Sequence, residues 1–134
     1  MKITLNGNDY SLYFGIRFIR ELDQKYFFGG EEIQFGTGVQ TAWLKLANYD
    51  PVILNDVLAA ALSTQFTFTD KDFDDFYATQ TEKQIKELCE ELGKNLERWP
   101  MTAPKIKQYK ANLKKAASKE KKEAEKAAET PIEE

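Results

Sequence analysis

The sequence predicts a mainly α-helical fold: a short N-terminal β-hairpin, a small helical domain, and a charged, partly helical or disordered C-terminal tail. Three observations carry this reading. An Asn-Gly pair separates two short apolar runs near the start. Apolar residues then recur every three or four positions through most of the next eighty residues. Helix-start signals stand at Asp50-Pro51, Thr69 and Thr81.

Ile3-Thr4-Leu5 and Tyr10 to Phe14 flank Asn6-Gly7-Asn8-Asp9, and Asn-Gly tolerates the positive φ values of a tight hairpin turn. Phe14, Phe18, Leu22 and Tyr26 follow at four-residue spacing with Ile19 beside them, while Arg17, Arg20, Glu21 and Gln24 face elsewhere. That is an amphipathic helix, with Gly29-Gly30 expected to end it. Val39, Trp43, Leu46 and Ala47 form a second, shorter stripe.

In NYDPVILNDVLAAAL, Asp50 can cap free backbone N–H groups, Pro51 suits the first helical position, and Tyr49 can staple onto Leu54. Val57, Leu58, Ala61 and Leu62 continue the core face. Phe66 and Phe68 alternate with Thr67 and Thr69, a strand-like pattern too short to define a strand. Thr69 caps a brief helix carrying Phe73, Phe76 and Tyr77. Thr81 and Gln84 make a capping box for the clearest helix, whose stripe is Ile85, Leu88, Cys89, Leu92, Leu96 and Trp99. Pro100 and Pro104 bracket a break. Beyond it Ile106, Tyr109, Leu113 and Ala116 keep helical spacing until Glu120 and Glu123 interrupt it.

The 134 residues divide near Pro104 into a helical domain, 1–104, and a Lys/Ala/Glu-rich tail or linker, 105–134. The first part holds 10 basic and 16 acidic residues, net −6, and all but one of the aromatics. The second holds 9 Lys and 6 Glu, net +3. An acidic domain disfavours a general nucleic-acid surface, which needs clustered Lys and Arg. The tail has too little apolar surface to predict firm docking. A single cysteine forbids an intrachain disulfide and fits a reducing compartment. The longest apolar run, Val57 to Leu62, is far short of a membrane span. An intracellular protein is expected.

Catalytic machinery is hard to assemble from these residues. The chain has no histidine, so imidazole bases, His triads and His metal ligands are excluded. Cys89 lies on an apolar stripe without a basic neighbour and reads as a core thiol. Asp70, Asp72 and Asp74 imitate the start of a calcium loop, but Asp75 stands where Gly is required and Thr81 where the bidentate acid is required. Gly29-Gly30 and Gly36-Thr37-Gly38 lack the strand–loop–helix setting and the Gly-Lys-Ser/Thr of phosphate loops. No catalytic, cofactor or metal residue is assigned, and an enzyme is not expected.

Interaction residues are better candidates. Phe27, Phe28 and Phe35 surround the Gly-rich loop, and Phe66 and Phe68 precede the acidic helix. Small domains bury most aromatics, so a core role for all five is one reading. The other is an exposed apolar patch marking a partner site.

ITLNGNDYSLYFGIRFIRELDQKY, followed by LKLANYDPVILNDVLAAAL, resembles the tail assembly chaperones of long-tailed, siphovirus-type phages, especially those of Gram-positive hosts. The likeness covers roughly residues 1 to 99. It implies a non-catalytic, mainly helical protein that binds the tape measure protein, keeps it soluble and helps recruit tail tube subunits. It also implies action in the host cytoplasm and absence from the mature virion. In many such phages a programmed frameshift near the end of the reading frame yields a minority longer product whose second domain contacts the tube protein. A charged, weakly helical tail suits a linker to such a domain, and its Lys pairs need A-rich codons. Self-association would also fit. A small structural or connector protein of the virion is the alternative, and a nucleic-acid-binding regulator acting through the Lys-rich tail is a weaker one.

Overall fold

The computed structural model describes residues 1–129, with side chains through residue 125. The last five residues of the expected tail, 130–134, lie outside the described residues.

Asn6 and Gly7 take φ values of 51° and 79° and fold β1 (Lys2–Leu5) back onto β2 (Asn8–Ser11). Both central residues are left-handed, as the right-handed strand twist requires of a two-residue turn. Ile3 and Leu5 alternate inward and seat the hairpin on the core. After it, α1 (Ile16–Lys25) buries Phe18 and Leu22. Phe14, just before it, meets Phe18 and Trp99 edge-on with centroids 5.1 and 5.5 Å apart.

The expected helix stop at Gly29-Gly30 is corrected. The chain leaves the helix at Tyr26, and Phe27–Gly29 forms β3, paired antiparallel with β4 (Gln34–Gly36). Three-residue strands are too short for alternation to announce them, so this second hairpin was not legible in the sequence. α2 (Gly38–Ala47) buries Val39, Ala42 and Leu46, whereas Ala47 is exposed and Trp43 half-buried.

α3 (Pro51–Leu62) is the central element and packs against α1 and α2. The Asp50 carboxylate accepts from the backbone N–H groups of Val52 and Ile53, each at 3.0 Å. Ile53, Val57, Leu58 and Leu62 are fully enclosed. Tyr49, at φ 56°, is exposed, and its hydroxyl donates to Glu90 at 2.8 Å. Residues 66–69 carry no strand. The capping boxes at Thr69 and Thr81 form as expected, starting α4 (Asp70–Ala78) and α5 (Glu82–Arg98). Asp72 is the reciprocal partner of the first box and also accepts from Asn6.

α6 (Ala103–Glu129) departs from expectation. The break is confined to the turn around residues 99–102, where the buried Thr102 hydroxyl donates to the Leu96 carbonyl at 2.6 Å. Pro104 lies inside the first helical turn, where its missing N–H costs nothing. Ile106 is 1% exposed, so the helix docks through its first two turns. From Ala111 to Glu125 every side chain is exposed. A single helix therefore stands away from the body.

Candidate partner-binding surface

Four of the five singled-out phenylalanines are exposed. Phe27, Phe28 and Phe35 lie on the β3–β4 hairpin and Phe66 in the loop after α3. Strand register explains their arrangement. Phe28 pairs directly with Phe35, so both rings stand on one face and stack at 5.1 Å with 19° between their planes. Phe27 pairs with Gly36 and points to the other face. There it lines a groove of about 410 Å³ with Ile16, Ile19, Arg20 and Gln24 of α1.

The hairpin is held at its root. Thr37 N–H donates to the Tyr26 carbonyl at 2.9 Å, and Gly38 N–H donates to Asp23 Oδ1 at 2.9 Å. A Cβ on Gly38 would lie 2.5 Å from Leu22 Cβ, so only glycine lets α2 begin this close to α1. Tyr26 Oη donates to Asp56 Oδ2 at 2.6 Å, while Lys25 Nζ donates to the other oxygen at 2.8 Å. Burial, then the hydrogen bond to Asp56, pushes the Tyr26 phenol up to about 12. Lys105 Nζ of α6 donates to the Gly36 carbonyl at 3.1 Å.

Phe66 and Phe68 form a separate group. They line a smaller groove, about 160 Å³, on another side of α1, with Arg17, Glu21 and Lys25. Phe66 is exposed, but Phe68 is half-buried, meeting Tyr10 and Phe73 edge-on at 5.1 and 5.9 Å. Phe68 is thus part of the packing beneath the surface. The five rings do not converge into one patch.

Ile16, 54% exposed, and Ile33, 63% exposed, extend the hairpin surface and were missed. Ile16 follows Phe14 by two positions, which puts it about 200° round a helix from the core stripe; that offset was the available signal. Ile33 had none. Cys89 is buried as expected, and burial pushes its thiol up. Asp70, Asp72 and Asp74 lie along the first turns of α4 as ordinary N-terminal acids.

A family model described as phage tail assembly chaperone protein, TAC, matches residues 2–110. The chain belongs to that family. No curated protein and no solved structure matches it. The match runs from β1 into α6 and ends at Lys110, the last residue before the wholly exposed stretch of α6. Membership gives this tail assembly chaperone a role in building phage tails, with tail proteins as its partners, and suggests a non-enzymatic protein. No helix among the described residues is long and apolar enough to cross a membrane.

Proposed function

We propose that this tail assembly chaperone binds the tape measure protein and keeps it soluble until the tail tube encloses it. The observation that carries the reading is the stacked Phe28–Phe35 pair, which stands in the open on a hairpin held at its root. Exposed aromatics lose little conformational freedom on contact and supply much apolar area, so they serve well as anchors. Phe27, Ile16 and Ile19 add a neighbouring groove that suits the apolar face of an amphipathic helix. A long helical client would bind many copies, and avidity along it would offset modest affinity at each site.

The proposed folded unit runs to about Lys110, with the exposed part of α6 serving as a spacer. In a longer, frameshifted product that spacer would lead to a second domain that recruits tube subunits. The site of action would be the host cytoplasm, with no copies retained in the virion. Co-expression with the tape measure protein of the same phage tests the reading. The client should be soluble and co-purify with many copies of the chaperone. Equal solubility of the client alone, with no complex on gel filtration, would refute it.

A further inference from the structure

The β3–β4 hairpin carries charge as well as apolar area. Its connection, residues 30–33, reads Gly-Glu-Glu-Ile. Gly29 takes φ 123°, and a Cβ there would overlap the Ile33 carbonyl oxygen, so glycine alone lets the tip close this tightly. The tip therefore sets Glu31 and Glu32 beside Ile33. Along the strands, residues alternate between the two faces. Phe27, Gln34 and Gly36 line the groove against α1, which leaves Phe28 and Phe35 on the opposite face. Those rings are 61% and 53% exposed.

Glu31 and Glu32 are both exposed, and neither has an ion pair among the described residues. The cations placed against the hairpin lie elsewhere. Arg20 lines the groove on the Phe27 face, and Lys105 Nζ donates to the Gly36 carbonyl at the root. The stacked pair is thus bordered at the tip by two uncompensated carboxylates. Such a border discriminates by charge: an unlike charge opposite it speeds encounter and fixes register, and a like charge is penalised.

We propose that Glu31 and Glu32 make the hairpin selective for helical client segments that carry lysine or arginine within a turn of an apolar stripe. The stripe would cover Phe28, Phe35 and Ile33, and the cations would meet the two carboxylates at the tip. Segments with acids in those places would be passed over, so copies of the chaperone would gather on the cationic stretches of a long client. The inference rests on the reading of the hairpin as the client-binding surface and adds the chemistry of what it takes.

Two synthetic peptides of about 20 residues, long enough to form helix, test this. Both carry the same leucine stripe at helical spacing, flanked by lysine in one and by glutamate in the other. Titrated against the full chain at ~0.1 M salt, the lysine peptide should bind at least fivefold more tightly, and the gap should close at ~1 M, where charges are screened within about 3 Å. Glu31→Lys with Glu32→Lys should reverse the order. Glu87→Lys with Glu91→Lys, the same change in net charge placed on α5, should preserve it. All four residues are exposed, so melting curves should match the parent. Phe28→Ser with Phe35→Ser should remove binding of both peptides. Equal binding of the two, binding of neither, a preference that survives reversal at the tip, or one lost equally on reversal at α5 would each overturn the proposal. Equal binding that vanishes with the two phenylalanines would remove the selectivity alone and leave the hairpin surface standing. A preference untouched by the phenylalanine changes would sink the hairpin surface and this inference together.

Discussion

Trp43 and Lys110 meet across the α2–α6 junction, joined by one carboxylate. Glu97 Oε1 accepts from Trp43 Nε1 at 2.9 Å and from Lys110 Nζ at 2.8 Å, while the ammonium lies 5.0 Å from the indole centroid. Tyr109 meets the same indole edge-on at 6.1 Å. Together with buried Ile106, these contacts make the start of α6 part of the body.

Truncation should therefore be sensitive to its position. A chain ending at Lys110 should melt within a degree or two of the full chain, because the lost side chains are exposed. Ending at Pro104 removes Ile106 and should cost about as much as a core Ile→Ala change, roughly 2–5 kcal/mol. Ile106→Ala in the full chain, followed by denaturant titration, gives the cleaner value. Equal melting of the two truncated chains would show that the docking contributes nothing.

Phenylalanine substitutions should separate into two classes. Phe28→Ser and Phe35→Ser, at exposed positions, should shift stability by less than about 1 kcal/mol. Phe18→Ala, at 1% exposure, should cost about 3–5 kcal/mol. Phe68→Ser should lie nearer the second class, because its ring packs against Tyr10 and Phe73. Urea midpoints at constant m-value would rank them.

Helix caps should be measurable singly. Asp50→Ala removes an acceptor shared by two backbone N–H groups and should cost about 1 kcal/mol. Gly38→Ala should be worse despite its smaller chemical change. The new Cβ meets Leu22 Cβ and the backbone at 2.5–2.6 Å, so α1 and α2 must separate.

Alkaline pH should destabilise the fold through two phenols. Burial, ahead of any other cause, raises Tyr26 to about 12 and Tyr77 further still. Folded values above the unfolded value of about 10 mean this contribution is complete below pH 10. It is lost as pH climbs from there toward the folded values. Melting temperature should fall over that window, and Tyr26→Phe with Tyr77→Phe should flatten the decline. A decline unaffected by both changes would exclude these phenols as its source.

Most of the helical frame was legible in the sequence because it rests on local signals. Asp50-Pro51, Thr69, Thr81–Gln84 and Asn6-Gly7 each act on their own backbone. The core stripe through Phe18, Leu22, Val57, Leu58, Leu92 and Leu96 follows from periodicity alone. What was missed depends on distant partners. β3 and β4 exist because Phe28 and Phe35 pair across a loop, and Ile106 is buried because α2 and α5 leave a seat for it. The sequence set Phe27, Phe28 and Phe35 around one loop and Phe66 and Phe68 near another, but which rings are exposed depends on folding, which leaves Phe66 in the open and packs Phe68 against Tyr10 and Phe73.

The hairpin surface carries the functional account, and a binding titration tests it most directly. The tape measure protein, captured with wild-type chaperone, is titrated against the Phe28→Ser/Phe35→Ser double variant, with a melting curve for each. The account predicts an unchanged melting temperature and at least tenfold weaker binding. Binding of parental strength by a fully folded double variant would contradict it.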